Sequence, residues 1–177
     1  MYSENYFKNL QRQYQDPKSL MSKKLTLVKK YCLGDRLLDF GCGTGDFIEL
    51  VKDRFKEIVG IDISYYAIKF CRRKFRNSKN VTIVQGSYEN LEKFGHFDCV
   101  TALDVLEHLE YPYSLAVVKK FFSITKPGGR LIITTPNWYD KIFRYLPKNS
   151  LHKHAHSSIG WRKWFPISDG SHYLREP

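Results

Sequence analysis

LLDFGCGTGDF, from Leu37 to Phe47, joins an apolar run, a carboxylate at Asp39 and three glycines at alternate positions. Residues with helical apolar spacing follow, so the stretch predicts a strand, a tight loop and a helix. Glycine reaches positive φ without a steric penalty and lets a ligand lie against the main chain, since it has no Cβ. The stretch therefore predicts a ligand site at the end of the first strand.

Composition and charge narrow the class of protein. The 177 residues are 42% hydrophobic and 15% aromatic, which is typical of one globular domain. The net charge of +11 is compatible with a nucleic-acid or anionic partner, but Lys and Arg are scattered along the whole chain, which favours an unspecific basic surface. No signal pattern and no apolar run of membrane-spanning length occur, so we expect a cytoplasmic protein. Four cysteines without zinc spacing are predicted to be free thiols, with Cys42 and Cys99 inside core elements: Cys32, Cys42, Cys71 and Cys99.

The order of the predicted elements indicates the fold class. Segments with helical spacing alternate with short runs that are apolar almost throughout, which is typical of a parallel sheet covered on both faces. We therefore predict an α/β, Rossmann-like, doubly wound and mostly parallel sheet, with its ligand at the carboxyl ends of the strands. The predicted strands are residues 36–40, 57–62, 81–85, 97–103 and 130–135.

Helix ends and one charged face complete this outline. Ser64 is the predicted N-cap of the third helix. A helix over residues 115–125 is expected to stop at Pro127-Gly128-Gly129. The polar face of the third helix is either solvated or a partner site, and it carries these residues: Lys69, Arg72, Arg73, Lys74 and Arg76.

Carboxylates near the glycine loop favour a cationic cofactor over a dinucleotide. The dinucleotide pattern G-x-G-x-x-G needs a small residue where Asp46 stands. S-adenosylmethionine (SAM) has no pyrophosphate and carries an ammonium and a sulfonium, which suit nearby carboxylates. Asp39 would orient the methionine end or tie the loop's own amides. Asp62, 21 positions after Gly41, would bind the ribose hydroxyls or act as a helix N-terminal acid beside Ser64.

Four motifs, in order over residues 36–137, resemble those of the class I SAM-dependent methyltransferases. They are the glycine loop, residues 61–64, residues 97–109 and residues 127–131. The resemblance implies that the three glycines cradle SAM, that Asp62 binds ribose and that the end of the fourth strand lines the methionine side. The predicted cofactor-binding residues are Asp39, Gly41, Cys42, Gly43, Gly45, Asp62, Ile63, Ser87, Tyr88, Leu103 and Asp104.

The chain departs from this family at two places. Many relatives carry Asp after the third strand, where it meets the adenine amino group, but Ser87 stands there. Adenine would then meet backbone amides or Tyr88. The family's last two strands are not found in the sequence. Either the chain is truncated, or the fifth strand is a bare edge that needs cover, for example in a dimer.

Acid and imidazole groups near the fourth strand suggest two kinds of chemistry. Asp104, Glu107 and His108 are spaced at i, i+3 and i+4, so they are predicted to lie on one helical face. They are then either solvated polar residues at the surface or part of a divalent-cation site that His154 or His156 completes. This pattern resembles metal-dependent methyltransferases of the 3′-terminal 2′-hydroxyl of small RNAs. The same pattern is also similar to one in quinone-biosynthesis O-methyltransferases. The segment that carries the tail histidines resembles a segment in methyltransferases of glycan and small-molecule clusters. The predicted metal ligands are Glu107, His108 and His154, and the predicted catalytic residues are His108, His154 and His156.

The sequence thus predicts a SAM-dependent methyltransferase acting on the hydroxyl of a small molecule. A metal-assisted RNA 2′-O-methyltransferase and an inactive SAM-binding subunit are the alternatives. We expect a helical cap over residues 1–34, the SAM-binding domain over residues 35–137, and an acceptor-side helix with a His- and aromatic-rich tail over residues 138–177.

Overall fold

Strands and helices alternate along the chain. The structure, a computed structural model, describes Asn9, Arg12, Asp16 and residues 20–135. Short 3-10 turns cover Lys52–Arg54, Tyr88–Phe94 and Leu106–His108. The other elements are α1 (Leu20–Tyr31), β1 (Arg36–Phe40), α2 (Asp46–Val51), β2 (Glu57–Asp62), α3 (Tyr65–Lys74), β3 (Val81–Gln85), β4 (Phe97–Leu103), α4 (Tyr113–Ile124) and β5 (Thr125–Thr134).

The five strands form one parallel sheet in the order β3-β2-β1-β4-β5. The strand order therefore reverses between β1 and β4, where a doubly wound sheet opens a crevice beyond its carboxyl ends. The predicted Rossmann-like class is confirmed, and β1 to β4 have the predicted bounds. The glycine loop leaves the sheet at this reversal point.

Helices cover both faces of the sheet. Side chains of α1, α2 and α3 form one buried cluster with Leu37 of β1 and Ile58 of β2. Phe40 points to the opposite face, since strand side chains alternate, and its ring packs edge-on against Phe121 of α4 at 5.0 Å between centroids. Burial on both faces explains the nearly continuous apolar runs. All four cysteines are buried and free, as predicted.

Strand β5 begins earlier than predicted. It starts at Thr125 instead of Arg130, and α4 ends at Ile124. Between the pairs Phe97↔Thr125 and Cys99↔Arg130 the register shifts, because the Pro-Gly-Gly segment bulges out of an otherwise paired strand. Gly128, at φ 74°, adopts the left-handed conformation that this bulge needs.

Several predictions fall outside the described residues. They concern most of the helical cap, the helix over residues 138–146 and the His- and aromatic-rich tail. The three predicted segment bounds and the bare edge of the fifth strand therefore stay predictions. Within the described part of the chain, β5 pairs with β4 alone, and no helix there is long and apolar enough to cross a bilayer.

Candidate cofactor site

The glycine loop is bound to β2 through its own amides. Gly41, Gly43 and Gly45 have φ values of 75°, 52° and 75°, a region that other residues enter at a steric cost. The amides of Gly41 and Cys42 both donate to the carbonyl of Ile61, at 2.7 and 3.0 Å. The loop shape therefore depends on glycine and on the neighbouring strand.

Close packing under the loop also requires glycine. A Cβ on Gly41 would lie 2.2 Å from Cγ2 of Val105. A Cβ on Gly45 would lie 2.5 Å from the ring of Phe75 and 2.9 Å from the thiol of Cys71. The loop can approach the segment after β4 and the end of α3 this closely only without side chains at these two positions.

Asp62 joins the end of β2 to the loop. Its Oδ2 accepts a hydrogen bond from the amide of Gly43 at 2.9 Å, and its Oδ1 accepts one from the amide of Ser64 at 2.8 Å. Burial raises the pKa of Asp62, and these amide hydrogen bonds partly oppose that effect. The amide of Ile63 is a third donor to this carboxylate, so at least one acceptor position remains for a hydroxyl of a ribose.

Asp39 lies beneath the loop and is almost fully buried, with 2% of its surface exposed. The hydroxyl of Thr101 donates to its Oδ1 at 2.7 Å. Burial raises the pKa of Asp39 to about 7, the Thr101 hydrogen bond opposes this, and the charge of Asp62 adds to it. Among the described residues, Asp62 rather than Asp39 binds an amide of the glycine loop. Two carboxylates that resist ionisation next to each other suit a cationic ligand such as SAM.

The end of β3 forms the side of the site where an adenine was expected. Ile63, just after β2, is 69% exposed. The Ser87 hydroxyl donates to the carboxylate of Glu89, and Tyr88 begins the 3-10 turn. Glu89 thus brings an acidic group beside Ser87, at the place where the sequence resemblance led us to expect an Asp. A cavity of about 90 Å³ lies here, lined by Ile61, Val84, Gln85, Gly86, Ser87, Asn90, Lys93 and Phe94.

The end of β4 holds a strained acid. Asp104 follows Leu103 at φ 56°, and it is the one residue other than glycine with positive φ in the described part of the chain. Its amide donates to the carbonyl of Thr134 at 2.9 Å, and its Oδ1 accepts from the Thr134 hydroxyl at 3.1 Å. These bonds to β5 hold the carboxylate beside the loop-facing end of the sheet.

The predicted helical face of Asp104, Glu107 and His108 is wrong. Asp104 lies outside any helix, because its left-handed conformation ends β4, and the other two lie in the 3-10 turn Leu106–His108. Nε2 of His108 is 3.9 Å from Oε1 of Glu107. The His108 side chain is half exposed, so it is accessible to a bound molecule.

The metal prediction is not tested. No group of three His, Cys, Asp or Glu side chains within the described residues has a metal-binding arrangement. The remaining predicted ligand, His154, and the predicted catalytic His156 lie outside the described residues.

Two residues of the site escaped sequence reasoning. Thr101 lies opposite Asp39 in the β1–β4 register, and a lone hydroxyl residue within the apolar β4 run was the available signal. The Cys71 thiol of α3 donates to the carbonyl of Gly43 at 3.1 Å. Nothing local in the sequence marked Cys71, because its partner is 28 positions away.

The glycine loop and a β2 acid at the strand-order reversal form the arrangement expected of a class I SAM-dependent methyltransferase domain. A family model described as methyltransferase domain matches residues 6–176. The chain therefore belongs to the methyltransferase domain family.

Individual relatives agree with this assignment. The chain is 33% identical over 133 residues to a ubiquinone biosynthesis O-methyltransferase of Xanthomonas campestris, a match that covers 67% of this chain and 55% of that protein. The chain thus spans about half the length of the curated relatives it matches. The PH0226 protein of Pyrococcus horikoshii has a similar structure, with 28% identity and a TM-score of 0.63 over 81% of this chain and 66% of that one. A SAM-dependent methyltransferase of Clostridium acetobutylicum shares the fold at 23% identity, with a TM-score of 0.64 over 77% of this chain and 58% of that one.

Proposed function

We propose that this protein transfers the methyl group of SAM to a hydroxyl group of a small-molecule acceptor. The observation that carries the proposal is the left-handed glycine loop, whose Gly43 amide is bound to the Asp62 carboxylate. The relatives named ubiquinone biosynthesis O-methyltransferase support a small acceptor and an oxygen as the methylated atom.

The residues of the loop would bind SAM along the carboxyl edge of the sheet. Asp62 accepts the ribose hydroxyls, and Asp39 attracts the methionine ammonium from below the loop. Ile63 and Tyr88 enclose the adenine beside Ser87, and the methionine side meets the end of β4. When bound, SAM supplies a methyl group on a sulfonium that its positive charge already activates. The protein then mainly aligns the acceptor and excludes water.

His108 is the group we assign to the acceptor proton. A hydroxyl must lose its proton during methyl transfer, and an imidazole near neutral pH is suited to take it. His108 is half exposed in the 3-10 turn that follows β4, with the Glu107 carboxylate 3.9 Å away to orient its ring.

Calorimetric titration with SAM tests the cofactor site. We expect Asp62→Ala to weaken binding by about 1.5–3 kcal/mol, because charge-assisted hydrogen bonds to the ribose and the loop amide are lost. Asp53→Ala removes an exposed carboxylate from the 3-10 turn Lys52–Arg54 and should bind SAM as the wild type does. A wild type without SAM binding, or an Asp62→Ala variant with unchanged affinity, would overturn the assignment.

Release of S-adenosylhomocysteine with a panel of phenols and aliphatic alcohols tests the transfer step. We expect methylation of at least one hydroxyl compound, and His108→Gln should lower kcat, because the proton acceptor is lost. SAM binding without turnover on any acceptor would favour an inactive subunit. Loss of turnover on adding a chelator would favour the metal-assisted alternative.

A further inference from the structure

Helix α3 has two chemically opposite faces. Its apolar stripe is buried against the sheet and consists of Ala67, Ile68 and Cys71, with Phe75 at the C-cap. Four residues on the other side of the helix are spaced at i, i+4, i+7 and i+8, which places them within one arc of about 100°. These four and Arg76, which lies in the turn just after the helix, are exposed, and we call the five residues the α3 arc: Tyr65, Lys69, Arg72, Arg73 and Arg76.

The charge of the arc is not balanced by acids. Residues 63–88 contain no Asp or Glu. Lys74, at the border of the two faces, is 3.5 Å from Asp46. The cations of the arc form no ion pair with any residue that the structure describes, although Arg72 Nε donates to the carbonyl of Ile83 at 3.3 Å. Lys79, just before β3, is also exposed and extends the positive surface.

An aromatic group lies at one end of this cationic surface. Tyr65 is 66% exposed, and Ile63 next to the cofactor site is 69% exposed. Exposed aromatic rings beside a row of cations are the two elements with which proteins bind single strands, since bases stack on the rings and phosphates meet the cations.

We propose that the α3 arc binds a single-stranded nucleic acid. The arginines offer paired N–H donors that match phosphate oxygens. From Tyr65 to Arg73 the helix rises about 12 Å, and Arg76 follows in the next turn, so two or three neighbouring phosphates can follow this row. Tyr65 stacks a base at the end of this row. The inference goes beyond the proposed function, because it requires neither SAM nor a methylated nucleotide.

An anionic membrane is the competing partner for such a surface. A helix that inserts into a membrane interface turns its apolar stripe toward the lipid. In α3 that stripe is already buried against the sheet. The exposed arc keeps only charge and one polar aromatic ring, which favours the nucleic acid.

Fluorescence anisotropy with a labelled oligouridylate at increasing salt tests the inference on the full chain. For three to four phosphate contacts, the logarithm of the affinity should fall with the logarithm of the salt concentration at a slope of about −2 to −3. Arg73→Glu with Arg76→Glu should weaken binding at least tenfold. Lys23→Glu with Lys30→Glu, an equal charge change on exposed positions of α1, should weaken it less than threefold. Tyr65→Ala should weaken it severalfold with an unchanged salt slope.

Calorimetric binding of SAM shows that each variant is folded. If the variant with Arg73→Glu and Arg76→Glu does not fold, the variant with Arg73→Gln and Arg76→Gln is used in its place. Equal RNA affinity of the α3 and α1 double variants overturns the proposal. So does a wild type that does not bind the oligouridylate at low salt. Arg73- and Arg76-dependent sedimentation with vesicles of phosphatidylglycerol and phosphatidylcholine in equal parts, without RNA binding, would assign the arc to a membrane instead.

Discussion

The end of β1 and the end of β4 adjoin in the sheet but are built differently. At β1 the backbone forms the site: left-handed glycines and amides bound to the Ile61 carbonyl and the Asp62 carboxylate. At β4 the side chains form it: a strained Asp104, the Glu107–His108 pair and exposed tyrosines beyond. A backbone site tolerates few substitutions, whereas a side-chain site can change its chemistry without loss of the fold.

Gly41→Ala should produce the largest effect and would test the backbone half of this contrast. Its Cβ would lie 2.2 Å from Val105 at a φ of 75°. We expect a loss of roughly 2–5 kcal/mol in unfolding free energy, from left-handed strain and overpacking, together with loss of SAM binding. Chemical denaturation measures the first and calorimetry the second. Gly86→Ala is the control, because nothing lies within 4 Å of its Cβ and its unfolding should barely change.

Asp39→Asn should change how the stability of the protein depends on pH, because Asp39 is the buried acid beneath the glycine loop. The pKa of Asp39 is about 7 in the folded protein and near 3.8 when unfolded. Between these values the unfolded chain releases a proton that the folded protein retains, so wild-type stability falls as pH rises from 4 to 7. The Asn variant lacks this decline, so between pH 4 and pH 7 its unfolding free energy should rise by about 2–4 kcal/mol relative to that of the wild type. Chemical denaturation at several pH values measures this difference.

Asp98 provides a control of opposite sign for the pH experiment. Lys126 and the amides of Asp35 and Arg36 hold the pKa of Asp98 below its usual range. Its stabilising effect is therefore present at neutral pH and is lost as pH falls through the lowered pKa. Asp98→Asn should destabilise at neutral pH and approach the wild type in acid. If Asp39→Asn also destabilised the protein at neutral pH and approached the wild type in acid, the pKa of Asp39 would not be raised.

Asp104→Asn tests whether a substitution at the end of β4 can change SAM affinity without changing the stability of the fold. Asn tolerates left-handed φ and keeps an oxygen that can accept the Thr134 hydroxyl, so thermal unfolding should change little. The loss of charge should weaken SAM binding by about 1.4 kcal/mol, or tenfold. Asp104→Ala should lose both stability and affinity. A large stability loss in the Asn variant would contradict the contrast between the two halves.

Cys71→Ala should have the smallest effect, and it tests whether the Cys71 thiol helps to position the glycine loop. Its thiol is a weak donor to the Gly43 carbonyl, so its removal should lower SAM affinity by roughly 0.5–1 kcal/mol. Cys71→Ser keeps a donor at this position and should preserve more of the affinity. Equal affinities of the two variants would show that the bond to Gly43 does not position the loop.

Sequence reasoning was most successful where the signal is local. Four strand bounds and the Ser64 N-cap followed from apolar runs and capping preference, and the structure confirms them, with the amide of Ala67 donating to Ser64 Oγ at 3.3 Å. The start of β5 was predicted wrongly, because Pro127-Gly128-Gly129 has the local chemistry of a turn while pairing with β4 incorporates it into the strand. The helical face of Asp104 failed for a similar reason, since hydrogen bonds to Thr134 of β5 hold its conformation.

The sequence by itself determined that a parallel α/β sheet carries a glycine loop and two acids at its carboxyl edge, because apolar periodicity, glycine and charge are properties of short segments. Only the tertiary structure decided which groups those acids meet. Strand register placed Thr101 opposite Asp39, and the return of β2 brought Asp62 to the Gly43 amide. Such contacts join residues 19 and 62 positions apart, so no local pattern encodes them, yet they determine the charge and shape of the site.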